Sequence, residues 1–320
     1  MTTRPESVSV FAPGGVGNVG PGLDIVGLAL TGAGDTVRAE WSAIAGVQIL
    51  DPGHPELPRE PTRHTAALAA RAVLDRVAER PAGQGIALTV RKGLPLSGGQ
   101  GGSAASAVAG AVAVNALLGN PLDSLELIRA CLAAEERVSG RHADNIVPSL
   151  IGGIVLIRSL DPLDLIRLPV PQELRVVVAL PEQRLPTAEG RAVLPRDVAR
   201  PIAMYQAAQV GAMIAALAMD DYELLGRAID DQIAEPARAR LLPGFREAKQ
   251  AALAAGALGS SISGSGPTAF ALTRGAESGE RVARAMQAAY AACGERARVR
   301  VERIDREGAR LVNGTPDLQQ

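Results

Sequence analysis

The residues that could do chemistry gather at glycines. Gly93-Leu94-Pro95-Leu96-Ser97-Gly98-Gly99-Gln100-Gly101-Gly102 runs into Ser103-Ala104-Ala105-Ser106, after which Ala, Val and Leu continue with helical spacing to residue 118. A glycine loop that opens a helix is an anion cradle, because bare backbone N–H groups approach a ligand closely and the helix N-terminus adds positive partial charge. Phosphate is the natural guest. No lysine follows where a P-loop requires one. Gly99-x-Gly101-x-x-Ala104 satisfies the dinucleotide fingerprint formally, but extra residues separate it from its strand and no βαβ return follows.

Two further clusters share this character. Ala12-Pro13-Gly14-Gly15-Val16-Gly17-Asn18-Val19-Gly20-Pro21-Gly22-Leu23-Asp24 sets an amide and a carboxylate among glycines, which suits a polar, amino-bearing ligand or an ordinary loop with Asx turns. Residues 259–268 again expose backbone N–H groups and are too long and too rich in Ser and Gly for a hairpin turn alone.

The helix that opens at Ser103 turns at Gly119-Asn120-Pro121-Leu122-Asp123 into a second helix over residues 124–139, with Ser124 its expected N-cap. In an antiparallel helical hairpin, residues equidistant from the turn stand at one height. Ser103, about sixteen residues before the turn, and Glu135, about fourteen after it, each lie roughly 20–25 Å away at ~1.5 Å per residue. A hydroxyl and a carboxylate facing each other beside a phosphate cradle make a Mg2+ site, since that hard cation takes one or two protein oxygens plus phosphates and water. The alternative is a solvated Glu135-Glu136 surface pair. His142, taken alone, reads as a loop hydrogen-bonder before a catalyst.

These side chains need a frame. Alternation predicts a strand at residues 7–11, strand character continues at 35–41, 46–50 and 85–91, and helical apolar spacing predicts a helix over 64–79, followed by the helical hairpin and a buried strand at 151–157. Near residues 161–171 the pattern loosens into Pro-containing connections. A second set then begins, with strands at 175–180, 268–273 and 298–304 and helices over 196–219, 222–234, 244–255 and 279–293. The class is α+β in two lobes, residues 1–165 and 166–312, with a tail at 313–320.

Composition narrows the partners. Lys+Arg 33 against Asp+Glu 34 removes the counterion-release affinity of a general nucleic-acid binder, and 2% aromatics leave little for base stacking. The two lysines, Lys92 and Lys249, give Schiff-base chemistry few candidates. Cys131 and Cys293 have no C-x-x-C or His-rich company, so neither a disulfide framework nor a zinc site is indicated. Residues 1–9 lack an apolar core, and the longest Ala/Val run, near 104–114, falls short of the ~18 residues of a membrane span. A soluble cytoplasmic protein is expected.

The three glycine clusters, in this order, resemble the GHMP small-molecule kinase superfamily nearly end to end. His142-Ala143-Asp144-Asn145-Ile146-Val147-Pro148, Thr187-Ala188-Glu189-Gly190-Arg191-Ala192-Val193-Leu194-Pro195, Ala234-Glu235-Pro236-Ala237-Arg238 and Leu241-Leu242-Pro243-Gly244-Phe245 are similar to its homoserine-phosphorylating branch. The resemblance implies a two-lobed fold, with an N-terminal lobe like ribosomal protein S5 domain 2 and a ferredoxin-like C-terminal lobe. It implies ATP held by Pro95, Ser97, Gly98, Gly99, Gln100, Gly101, Gly102, Ser103 and Ala104, and Mg2+ held by Ser103 and Glu135. It also implies an L-homoserine pocket of Asn18, Asp24, His142, Asp144 and Asn145, with Arg191 and Arg238 on the substrate carboxylate, a task that suits the planar guanidinium fork. Ser103, Glu135, Asp24 and Asn145 are the expected catalytic group, Asp24 serving substrate binding first because the branch works without a clear base.

Several positions depart from the family pattern. Gln100 and Gly102 stand where Leu and Ser are usual, His64 where an Asn commonly helps define the adenine pocket, and Leu23 where Phe is common. One residue is absent between Glu135 and His142. A kinase of another small alcohol, a non-catalytic nucleotide or amino-acid sensor, and a dinucleotide-dependent dehydrogenase are the competing readings. The expected partner is the small-molecule substrate; a homodimer is the one protein assembly considered, and neither nucleic acid nor membrane is expected.

Overall fold

The computed structural model describes residues 5–77, 84–138 and 140–312. The tail expected at 313–320 lies outside them, as do residues 78, 79 and 139 at the predicted ends of two helices. The first strand, β1 (Ser7–Gly17), continues past the alternating residues 7–11 into the first glycine cluster. It pairs antiparallel with β2 (Val26–Ser42), with a bulge between Pro13 and Gly15. Alternation stops at residue 11, and glycine is a poor strand former, so the second half of β1 carries no local strand signal. Here Gly17 stands opposite Gly27, and the absent side chains leave room for a neighbouring segment to lie on the sheet.

After β2 come β3 (Val47–Asp51), α1 (Thr65–Arg76), β4 (Gly85–Arg91), α2 (Gly102–Leu117), α3 (Ser124–Glu136), α4 (Ile146–Ile151), β5 (Ile154–Leu160) and β6 (Leu163–Leu168). The chain continues with β7 (Leu174–Pro181), α5 (Thr187–Ala192), α6 (Arg200–Met219), α7 (Tyr222–Ala228), α8 (Ala234–Arg238) and a 3-10 turn, Ala239–Leu241. It closes with α9 (Phe245–Ala254), β8 (Gly259–Ile262), β9 (Ala269–Arg274), α10 (Ala276–Ala292), β10 (Ala297–Glu302) and β11 (Arg310–Leu311). The N-cap of α3 is Asp123 and not Ser124. Its carboxylate accepts from Glu126 N at 2.9 Å while Glu126 Oε2 accepts from Asp123 N at 3.1 Å, a reciprocal capping box.

A seven-stranded sheet orders β11-β1-β2-β4-β3, with β5 and β6 continuing from the other part of the long β2. Helices α1, α2 and α4 lie on it, with α3 packed on α1 and α2, and a four-stranded antiparallel sheet, β10-β7-β9-β8, carries α9 and α10. This is an α+β architecture. Sheet membership changes between Leu168 and Leu174, so a boundary at residue 165 falls inside β6. Alternation in Leu163-Asp164-Leu165-Ile166-Arg167-Leu168 carries the strand signal that Pro162 obscured. Ile304 and β11 return to the first sheet, on Leu30 and β1.

Among the described residues α6 alone is long and apolar enough, by length and composition, to cross a membrane, its apolar residues being Ile, Met, Leu and Ala spaced by polar ones rather than one Ala/Val run. Its buried Gln206 donates at 2.9 Å to both Pro21 O and Asp231 Oδ1, seating the helix against the first glycine cluster.

One polar knot lies under the second glycine cluster. Asp35 of β2 is fully buried, and its Oδ1 accepts from Gly93 N at 3.1 Å and Leu94 N at 3.3 Å. Its Oδ2 accepts from Ser106 Oγ at 2.6 Å and pairs with Lys92 Nζ, which also donates to Gly102 O at 2.9 Å. Both ends of the loop are thereby tied to one carboxylate. Removing one partner of a buried ion pair strands the other charge, so Asp35→Ala is expected to lower stability by about 3–5 kcal/mol. Urea denaturation checks it; a loss under ~1 kcal/mol would mean water reaches Lys92.

Candidate active site

The second cluster is a cradle because its carbonyls are held away from it. Gly98 O accepts from Thr268 Oγ1 at 2.6 Å, Gly99 O from Ser263 Oγ at 2.7 Å and Gln100 O from Gly15 N at 3.1 Å. In a trans peptide the next N–H points opposite the carbonyl, so the N–H groups of Gly99, Gln100 and Gly101 face the other way. None of the three has an acceptor among the described residues. The first turn of α2 follows, with Gly102, Ser103 and Ala104 at its start and no side chain capping it. Gly99 and Gly101 are required by φ of +74° and +70°, and a Cβ on Gly99 would lie 2.6 Å from Ser263 O. Ser97 also has positive φ, at 52°, and Pro95 packs against Gly98. All the residues expected to hold ATP therefore line one loop and one helix start.

The helical hairpin brings Ser103 and Glu135 together as its geometry predicted: Ser103 Oγ donates to Glu135 Oε1. Glu135 is buried at 7% exposure, which removes the solvated-pair alternative, whereas Glu136 is exposed. A hydroxyl and a carboxylate at a helix N-terminus are hard oxygen donors of the kind Mg2+ takes. His64 is buried at the N-cap of α1, its Nε2 3.3 Å from Pro52 O, and burial pushes the imidazole pKa down.

The polar pocket is assembled where β1 ends. Asn18 and Asp24 both adopt positive φ, 56° and 61°, which Asn and Asp tolerate better than other side chains. Asn18 N donates to Asp144 Oδ2 at 3.0 Å, and Asn18 Oδ1 accepts from Asp24 N at 2.7 Å. A Cβ on Gly17 would stand 2.4 Å from both Asp144 Oδ2 and Asn145 Nδ2, so only glycine admits these side chains. Arg191, from α5 on the other side, donates through both terminal nitrogens to Asp24, at 2.6 and 3.2 Å, and His142 Nδ1 lies 3.3 Å from the same carboxylate.

Charge is unevenly shared here. Burial raises the Asp24 pKa, but hydrogen bonds from His142 and Arg191 outweigh it and hold the carboxyl well below the usual range. Asp144 is pushed up to about 6, by burial first and then by the charge of Asp24. Arg238, at 1% exposure, donates through Nε to Gly190 O at 3.0 Å and through Nη1 to Gly264 O at 2.9 Å. Burial, and then the Arg191 charge, push its pKa down. Three buried polar atoms of the pocket lack partners: Arg191 Nε, Arg238 Nη2 and Asn145 Oδ1. An unsatisfied buried donor or acceptor is costly and marks a place for a ligand.

Sequence reasoning missed the Asp35-Lys92-Ser106 knot and the side-chain grip of the third cluster on the second. An aspartate in phase with Val37 and Ala39, on the apolar side of an alternating strand, and a lysine directly before the glycines were the available signals.

Comparisons with known proteins agree with this geometry. The N-terminal domain model of the GHMP kinases matches residues 65–153 and the C-terminal domain model residues 213–292. The chain is similar to the homoserine kinase of Chlorobium phaeobacteroides strain BS1, 40% identical over 96% of this chain and 100% of that one. It is likewise 42% identical to the homoserine kinase of Arabidopsis thaliana, over 98% of this chain and 88% of the other. The crystal structure of homoserine kinase from Cytophaga hutchinsonii matches with TM-score 0.93 at 38% identity, covering 98% and 99% of the two chains. L. major mevalonate kinase, solved with R-mevalonate, shares the fold at TM-score 0.66 and 18% identity over 92% of this chain and 95% of its own.

The coupling of the two pocket carboxylates has a direct readout. A carbon-13 titration of Asp144 is expected to show its carboxyl titrating near 6 and moving to lower pH in Asp24→Asn, because removing a neighbouring negative charge favours ionisation. An unmoved titration would separate the two groups electrostatically.

Proposed function

We propose that this chain, which belongs to the GHMP kinase family and within it to the homoserine kinases, transfers the γ-phosphoryl group of ATP to the side-chain hydroxyl of L-homoserine, giving O-phospho-L-homoserine for threonine synthesis. The observation that carries the reading is the set of unpartnered polar atoms around Asp24. Arg191 Nε and Arg238 Nη2 are two buried guanidinium donors without acceptors, which a carboxylate would satisfy together. Asp24 and Asp144 supply negative charge for an ammonium group, and Asn145 Oδ1 is a free acceptor beside them. A zwitterion fits this pattern; an uncharged sugar would leave the arginines unanswered.

The rest of the chemistry follows from the cradle. Phosphoryl transfer asks for in-line positioning and neutralisation of charge on the transferring group. The outward N–H groups of residues 99–101 and the start of α2 are fixed before the nucleotide arrives, so they need not reorganise as charge develops. Ser103 and Glu135 would hold Mg2+, whose charge, when bound, offsets that of the phosphates. Asp24 is a poor base, since a carboxylate held below its usual pKa gives little driving force for accepting a proton. Its work is to bind and orient the substrate amine.

The division of labour belongs to the same proposal: the lobe around the first sheet supplies the cradle and most of the pocket, and the lobe around the second supplies Arg191 and Arg238. The exposed Ile202, Met204, Tyr205 and Met219 of α6 support a homodimer.

The decisive assay adds L-homoserine to protein with Mg·ATP and follows ADP release. Turnover is expected with homoserine and none with mevalonate; release with another alcohol and not with homoserine would overturn the substrate assignment. Arg238→Ala is then expected to weaken homoserine use roughly ten- to a hundredfold, since a charge-assisted hydrogen bond contributes about 1.5–3 kcal/mol. On 3-aminopropanol, which lacks the carboxylate, the same variant should lose little. Equal losses on both would make Arg238 a packing residue.

A further inference from the structure

Gln100 is buried at 3% exposure inside the cradle, yet its side chain faces the other lobe. Arg300 Nη2, from β10, donates to Gln100 Oε1 at 3.0 Å, and Gln100 Nε2 donates to Thr268 Oγ1 at 3.1 Å. Thr268 Oγ1 in turn donates to Gly98 O at 2.6 Å. The direction of this chain is forced. A guanidinium can only donate, so Arg300 fixes the amide oxygen on its side and the amide nitrogen toward Thr268. Thr268 then accepts from Gln100 and has its single proton left for Gly98. Beyond Arg300 the chain continues: its Nε lies 3.5 Å from Glu302 Oε1, and Glu302 Oε2 accepts from Thr31 Oγ1 of β2 at 3.1 Å. The relay therefore starts on the first sheet, crosses the second and ends on a cradle carbonyl.

We propose that Gln100 is a positioning residue for the nucleotide phosphates, acting through Thr268 on the Gly98 carbonyl. Holding that carbonyl back aims the Gly99 N–H at the bound anion, because the two ends of a trans peptide point in opposite directions. A leucine at this position would fill the space, but Thr268 would lose its incoming donor and Arg300 its acceptor. Its hydroxyl would then be free to rotate away from Gly98, and the cradle would be less well prepared for phosphate. The inference rests on the kinase reading for its choice of ligand, and its test is a binding measurement that stands apart from homoserine turnover.

The experiment measures Mg·ADP affinity by calorimetry, together with KM for ATP and for homoserine. Gln100→Leu is expected to weaken Mg·ADP binding and raise KM for ATP by about three- to tenfold, the scale of one neutral hydrogen bond, with KM for homoserine within about twofold of wild type. Thr268→Ser should keep wild-type values, because it retains the hydroxyl, and Thr268→Val should match Gln100→Leu. The double variant Gln100→Leu/Thr268→Val should be no worse than Thr268→Val alone, since one residue acts through the other. Arg300→Met, at the half-exposed end of the relay, gives a second route should Gln100→Leu fail to fold, and it should show a smaller loss of the same kind. Unchanged nucleotide affinity in both Gln100→Leu and Arg300→Met, additive losses in the double variant, or equal losses for nucleotide and homoserine would overturn the proposal. So would a wild-type protein that does not bind Mg·ADP. Mg·ADP binding without homoserine turnover would instead overturn the substrate reading and leave this one standing.

Discussion

A planar peptide cannot turn its carbonyl one way without turning the next N–H the other, and the cradle is built on that restriction. Its consecutive carbonyls at Gly98, Gly99 and Gln100 are held by Thr268, Ser263 and Gly15, which belong to the third and first glycine clusters. The donors that face a ligand are thus aimed from behind. This explains why three glycine-rich segments far apart in sequence must meet: one presents N–H groups, and the other two keep its carbonyls occupied. An unheld loop of glycines would spend its binding energy on ordering itself.

The pocket depends on the same economy of atoms. Gly17 and Gly27 face each other across β1 and β2, and the segment at Asp144 and Asn145 fills the room they leave. The carboxylate of Asp144 reaches Asn18 N only because no Cβ stands between them. Burial and the Asp24 charge then raise the Asp144 pKa, while Asp24, gripped by Arg191 and His142, stays ionised. Two carboxylates side by side reach different states through different partners. Without ligand, Asp24 answers part of Arg191 and leaves Nε over, so the pocket satisfies its own charges incompletely.

Much of this was legible in the sequence, and the limits have physical causes. The helical hairpin set Ser103 against Glu135 from residue counts alone, because a helix has a fixed rise and a short turn forces antiparallel return. Strands β3, β4, β7 and β9 followed from short apolar runs bounded by turn residues. The second half of β1 did not, since glycine pairs in the sheet here only because of what packs on it, and packing is not local. Strand β5 was read from its apolar run, but its partner β6 was hidden by Pro162, and the brief return of β11 to β1 is too short for any periodicity. The pocket residues beyond Asn18 and Asp24 came from the resemblance, and the structure sets Asp24 beside Arg191 and His142, Asp144 beside Asn18, and Asn145 against Gly101. What holds the cradle, Asp35 with Lys92 below the loop and Thr268 with Ser263 behind it, consists of ordinary polar side chains whose partners lie between 57 and 170 positions away. No spacing rule reaches that far.

Cradle and pocket also share a wall, and this bears on how the reaction would be aligned. A Cβ on Gly101 would lie 2.7 Å from Asn145 Oδ1, so the carboxamide of the pocket rests against the backbone that starts α2. That oxygen has no partner and Asn145 Nδ2 approaches Gly17, so the one side chain touches the first cluster, the second cluster and the pocket. A side chain shared by two binding sites cannot move for one ligand without being felt by the other. On the proposed reading, that contact is what would hold the acceptor hydroxyl in register with the phosphate cradle. The glycine at position 101 serves here twice: its positive φ turns the chain into the helix, and its missing Cβ lets the Asn145 carboxamide come within contact of the backbone that opens α2.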